Sequence, residues 1–329
     1  MNPYALIDLH LHLDGSLSLE SVRELAAMQN MEVERNDRAL LTRLQVNPDC
    51  RDLNEYLEKF DYPCSLLQTP EALTAAVANL RRELAKQGLL YAEIRFAPQF
   101  HLNRGLTQDQ VVGAAVAGLA GEGVKANLIL CCMRMPNNHE TNLETVRVAA
   151  KYLGKGVCAL DLAGAEALFP TCDFAEEFAL AKELGVPYTI HAGEADGPES
   201  IRKALEFGAS RIGHGVRCVE DEALMAELAE KGIPLELCPT SNLQTCIFPR
   251  MEDYPMGKLL DAGIRATLNT DNMMVSGVTL SSEMDQMAAF LTREQLEQLV
   301  ANSIDAVFAD EETKEWLRRM ARERIGGNV

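Results

Sequence analysis

Two histidines stand one residue apart in "ALIDLHLHLDGS" (Ala5 to Ser16), in a chain that holds six histidines in all. In a β-strand, residues two apart share a face, so Asp8, His10, His12 and Asp14 point one way and Ile7, Leu9, Leu11 and Leu13 the other. The two imidazoles converge there, whereas the same spacing on a helix would send them apart. A single histidine in an apolar strand is ordinarily a satisfied core residue. What makes this pair candidate chelators is where the other polar residues fall: His191 in "TIHAGE", His214 in "RIGHG" and Asp271 in "LNTDN" each close a β-like run. Three neutral imidazoles and one carboxylate from this set make a nitrogen and oxygen shell suited to zinc, with water completing it. An ion so held brings the pKa of water from ~15.7 toward ~7, which makes hydrolysis the natural reaction class. One ion is expected rather than two, because "LDLAGAE" at the end of the fourth run offers no lysine or histidine to bridge a second. His214 is then free for other work.

Glu194 lies three residues after His191 in a glycine-containing turn. Exposed, it is an ordinary loop residue; buried in an apolar pocket, its pKa rises and it can donate a proton at neutral pH. His101 and His139 read as loop residues.

These groups need elements to gather them. Eight β-like runs begin at Ala5, Tyr91, Ala126, Val157, Pro187, Arg211, Pro234 and Arg265, separated by segments of helical period such as "PEALTAAVANLRRELAKQG" and "EDEALMAELAEKG". Strand and helix alternating eight times predicts a (β/α)8 barrel, with a doubly wound sheet as the structural rival. Catalytic groups of barrels come from the C-terminal ends of several strands, so a separation of 261 positions between His10 and Asp271 is no obstacle. A helical insertion between the first two strands, about Gly15 to Leu90, contains "LNEYLEKFDYPCSLL" and is expected to overhang the site mouth; a helical tail follows Leu280. With no linker, repeat or low-complexity stretch, residues 1–329 are expected to form a single domain.

Composition narrows the partners. An apolar share of 47 % with 24 % charged residues is that of an ordered globular chain. A net charge of −18 argues against nucleic acid or an anionic membrane surface. Nine cysteines, scattered from Cys50 to Cys246 without CxxC spacing, read as buried free thiols in a reducing compartment. Asp8 and His10 interrupt any signal-peptide pattern, and "VVGAAVAGLAG" from Val111 is too short to span a bilayer, so a cytoplasmic location is expected.

The chain resembles the adenosine deaminases of the metal-dependent amidohydrolase superfamily through "HLHLDGS", "DLAGAE", "HAGE", "RIGHG", "CPTSN" and "NTD", which occur in the family's order from residue 8 to about 285. The resemblance implies one zinc per chain held by His10, His12, His191 and Asp271. It implies that Glu194 protonates purine N1 and that His214 orients the attacking water and stabilises its charge. It further implies that Gly164 offers a backbone N–H to the purine and that Asp14 bonds the 5′-hydroxyl of a nucleoside. The expected reaction is hydrolytic deamination of adenosine, and of 2′-deoxyadenosine, to inosine products and ammonia.

Two positions depart from the family pattern. Asn272 stands where a second aspartate usually follows the metal-binding one, and Ala165 replaces the aspartate of "DLAGDE". A carboxamide donates from its NH2 without any pKa shift, so Asn272 is expected to keep the hydrogen bond to purine N7. The alternatives are adenine, aminofutalosine or a modified adenine nucleotide as substrate, or a nucleoside-binding protein without catalysis. Asp14, in place of the glutamate of "HLEG" patterns, and the lid-like "EKFDY" favour a nucleoside. The intact polar set argues against a mere binder.

Overall fold

The computed structural model describes residues 4–326. Its eight strands are β1 (Leu6–His12), β2 (Leu89–Phe96), β3 (Lys125–Arg134), β4 (Val157–Gly164), β5 (Thr189–Ala192), β6 (Arg211–His214), β7 (Leu235–Leu237) and β8 (Ala266–Leu268). Every one falls within or across a run read from the sequence. All neighbours pair in parallel, β1-β2-β3-β4 in one sheet and β5-β6-β7-β8 in the other.

Two bridges join the sheets into a barrel. Leu160 N donates to Pro187 O (2.9 Å) beside the Leu160–Tyr188 bridge. On the opposite side Asp271 N donates to His10 O and His12 N to Asp271 O, both at 2.8 Å, around the Leu11–Asp271 bridge. The strands are buried almost throughout, as parallel strands under a jacket of helices must be. Leu9, Leu11 and Leu13 lie in the apolar layer outside β1, while its alternate residues face the barrel interior.

The insertion after β1 is helical, with helices at Leu19–Met28, Asp37–Leu44, Leu53–Leu57, Asp61–Ser65 and Pro70–Lys86. Side-chain caps on Ser18, Asn36, Asp52 and Thr69 start four of them. The tail forms helices Leu280–Met287, Arg293–Ala306 and Glu311–Gly326, the second lying against β1 and β8. Residues 1–3 and 327–329, the ends of the expected single domain, lie outside the described residues. No helix among the described residues is long and apolar enough to cross a membrane.

The cysteines depart in part from expectation. All nine are free, but Cys172 and Cys246 are exposed and Cys64 is partly so. Cys64 lies in a five-residue helix of the insertion, Cys172 in a four-residue 3-10 turn and Cys246 just past the helix Pro239–Gln244, segments too short or irregular for periodicity to set burial.

Candidate active site

The C-terminal strand ends open into a cavity of about 560 Å³, within the range that holds small ligands. His12 from β1, Asp14 from the turn after it, Gly164 ending β4, His191 from β5, Glu194 in the following turn, His214 ending β6, and Asp271 and Asn272 after β8 all line it. His10 lies beneath, fully buried. Leu53, Tyr56, Phe60 and Cys64 of the insertion form the opposite wall, as an overhanging lid requires. His214 (φ 56°) and Asp271 (φ 60°) hold left-handed backbone conformations that cost on the order of 1–3 kcal/mol and occur where a site over-determines them. Gly164 (φ 107°) has a conformation that favours glycine.

The other two histidines stay out of the cluster. His101 is buried in a short 3-10 turn against Phe96, and burial pushes its pKa down to about 3. His139, expected in a loop, opens a helix and pairs with Glu176 and Glu177.

Hydrogen bonds behind the rings decide where each imidazole carries its proton. His10 Nδ1 meets Glu236 Oε2 at 2.8 Å, and His191 Nδ1 meets Asp161 Oδ2 at 2.9 Å. A carboxylate only accepts, so both Nδ1 atoms carry a proton and both Nε2 atoms are turned to the cavity side, where a neutral ring offers its lone pair. His10 Nε2 is buried without a hydrogen-bond partner. His12 Nε2 lies 3.4 Å from His191 Nε2 and 3.3 Å from Asp271 Oδ1. His214 is wired the other way: Tyr254 donates to Asn242 Oδ1 (3.0 Å), which turns the Asn242 amide nitrogen toward His214 Nδ1 (3.0 Å). Neutral His214 therefore carries its proton on Nε2, facing Glu194 Oε2 at 3.5 Å and Asp271 Oδ2 at 3.9 Å.

The donor set suits a divalent cation. Ligand atoms of His10, His191, His214 and Asp271 all lie within 4.8 Å of one another, and His12 adds a fifth candidate. Carboxylates behind metal-binding imidazoles are the usual supporting shell. Below them, fully buried Arg95 pairs with Asp161 (2.9 Å) and Glu236 (2.8 Å), and Arg211 pairs with Glu236 (2.7 Å) and Glu93 (2.6 Å). Two guanidinium groups against three carboxylates leave the barrel interior complementary to a cation above.

Electrostatics divides the groups by role. Burial, reinforced by neighbouring imidazoles, holds His12 and His214 well below the ordinary histidine range and His191 below it, so they are neutral. Burial and Arg95 also oppose charge on His10, but Asp271 and Glu236 outweigh them and its pKa ends raised. Asp271 overcomes its burial through the surrounding imidazoles and is ionised. Glu194 is the opposite case: burial, then Asp271 and Glu166, push its carboxyl well above the usual range, so it holds a proton at neutral pH.

The comparisons follow that geometry. The adenosine deaminase family model matches residues 5–323. The chain belongs to the adenosine deaminase family. An adenosine deaminase of Haemophilus ducreyi is 51 % identical, over 98 % of this chain and 96 % of that one. Among solved structures, the family fold recurs in an adenine deaminase from Arthrobacter aurescens (TM-score 0.87, 26 % identity, covering 98 % of this chain and 99 % of that one). It recurs again in an Arabidopsis N6-mAMP deaminase (TM-score 0.85, 26 % identity, 98 % of each chain).

Sequence reading of this adenosine deaminase family member overlooked Arg95, Glu236, Asn242 and Tyr254. The signal for the first two was present: Glu236 is the one charge in "LEL", and Arg95 shares an inward face with Glu93 in "EIRF", both in otherwise apolar strands.

Proposed function

We propose that this chain hydrolyses adenosine, and 2′-deoxyadenosine, to the corresponding inosine and ammonia, in a single barrel that takes one Zn²⁺ from the cytoplasm. The observation that carries the reading is a buried Glu194 carboxyl 3.5 Å from His214, in one cavity with an imidazole and carboxylate cluster, where burial and the neighbouring carboxylates favour its protonated form. The 51 % identity to an adenosine deaminase supports the substrate. Nine free thiols support a reducing compartment.

His10, His12, His191 and Asp271 would hold the ion. The Nε2 atoms of His10 and His191, turned to the cavity because each Nδ1 is bound to a carboxylate, and the closeness of His12 Nε2 to both His191 and Asp271 support this set. His214 stays outside it because its Nε2 bears the proton. When bound, the ion supplies the Lewis acidity that makes water nucleophilic near neutral pH.

The remaining chemistry belongs to the side chains. Attack at C6 interrupts the purine's aromaticity, so a proton must reach N1 in the same step, and Glu194 holds one ready. His214 Nε2–H stabilises negative charge developing on the attacking oxygen. Gly164 N–H and the Asn272 amide hold the purine, and buried Asp14 takes the sugar hydroxyl. Arg134 is the only lysine or arginine among the described cavity-lining residues, and it is buried, with both Nη atoms bound to Phe169 O, Thr171 Oγ1 and His191 O. No free cation there meets a phosphate, which favours a nucleoside over a nucleotide.

Loss of the adenosine absorbance band on mixing with zinc-loaded protein tests the reading. Turnover of adenosine well above adenine is expected; no change with adenosine, deoxyadenosine and adenine refutes it.

A further inference from the structure

The "DLAGAE" segment ends in a glutamate that has so far figured only as a neighbouring charge raising the Glu194 carboxyl. Glu166 is 1 % exposed, two residues beyond the end of β4, and its carboxylate collects five donors. Oε1 accepts from Gly193 N (2.7 Å) and Ser200 Oγ (2.6 Å). Oε2 accepts from Glu194 N (3.0 Å), Ala195 N (2.7 Å) and Asp196 N (3.1 Å). Four consecutive backbone N–H groups turned onto one anion form a concavity that a neutral side chain cannot fill equally well. The chain reaches that curl through Gly193, whose φ of +73° and contact with Ile201 leave no room for a Cβ. None of these four peptides belongs to a regular element: β5 ends at Ala192 and the helix Pro198–Phe207 begins beyond them.

We infer that Glu166 is a positioning residue that acts through Glu194: it fixes the 193–196 turn so that the Glu194 carboxyl stands against the reacting purine. This rests on Glu194 being the proton donor. Glutamine at 166 keeps one acceptor oxygen and turns an NH2 onto N–H groups, so the turn loosens without any loss of cavity lining.

The test is a double-mutant cycle in zinc-loaded protein, using Glu166→Gln, Glu194→Gln and both together. Glu166→Gln is expected to lower kcat about 100-fold, the scale of a misplaced catalytic group, with KM within about threefold. Zinc per chain stays unchanged, and amide exchange across 193–196 accelerates. The double variant should be no slower than Glu194→Gln alone, because Glu166 then has nothing left to position. Wild-type kcat in Glu166→Gln, unchanged exchange in the turn, or losses that multiply in the double variant each overturn the inference. Should Glu166→Gln fail to fold, Glu166→Asp, which keeps the charge but withdraws the oxygens by one methylene, passes through the same cycle with the same readings. Absence of adenosine turnover in the wild-type protein overturns the functional reading itself, and this inference with it.

Discussion

Arg95→Met separates the support of the proposed metal site from the site itself. Arg95 does not line the site cavity; it sits fully buried between Asp161 and Glu236, with a further bond from Nη2 to Leu9 O at 2.6 Å. At an effective dielectric constant of about 20, one such ion pair at about 4 Å between charge centres amounts to about 4 kcal/mol. Removing the arginine also removes its own desolvation, and breaking one partner out of a buried pair costs about 3–5 kcal/mol net. Methionine fills the volume, so urea unfolding of the metal-free protein should report a loss in that range. The two carboxylates orient His10 and His191, so zinc affinity should fall about 10–100-fold as well. The pH dependence has a definite sign. Arg95 opposes protonation of His10, His12 and His191. Without that cation, protons compete for the ligand nitrogens at higher pH, so the pH of half-release to a fixed chelator should move up. Stability within about 1 kcal/mol of wild type, together with a half-release pH that stays or falls, would refute the reasoning.

Glu194→Gln should keep its zinc and lose at least about 100-fold in kcat, as removal of a general acid does; metal analysis beside the absorbance assay checks both. His12→Ala should lose zinc and turnover together, whereas His214→Ala should lose turnover and retain the ion, which metal content per chain distinguishes. With Asn272 donating to N7, 7-deazaadenosine should be a poorer substrate than adenosine by about 1–3 kcal/mol of transition-state binding; equal kcat/KM refutes that contact. Burial raises Glu283 from 4.5 to about 7, with Oε2 left unpartnered, so the fold prefers it protonated. Its contribution to stability is fully present below pH 4.5 and lost as pH rises through about 7, roughly 3 kcal/mol in all, and Glu283→Gln should flatten that part of the stability profile in denaturant titrations.

The barrel was legible because its strands are short apolar runs punctuated by glycine and separated by helical segments of regular period. Even the three-residue strands β7 and β8 lay inside their predicted runs. The paired histidines of β1 were legible because strand geometry alone puts two side chains on one face. What sits behind them was not. Alternation places Arg95 and Glu236 inside the barrel, but which inward charges meet depends on the angular order of strands 141 residues apart. Likewise the proton on His214 is set by Asn242 and Tyr254, which come near it only when the loop after β7 folds over β6. Glu166 looked like an ordinary motif residue until the turn it grips was in view.

The seam at Leu11 and Asp271 joins the first strand to the last, and the peptide groups that stitch it belong to His10, His12 and Asp271. Topological closure and assembly of the imidazole and carboxylate cluster are therefore one event. A nascent chain that has not yet reached Ile264 has neither the carboxylate nor the edge that holds the histidine pair in register. Such a partial chain offers no finished cradle in which to trap an ion prematurely, and cation capture becomes a report that the ring of strands has shut.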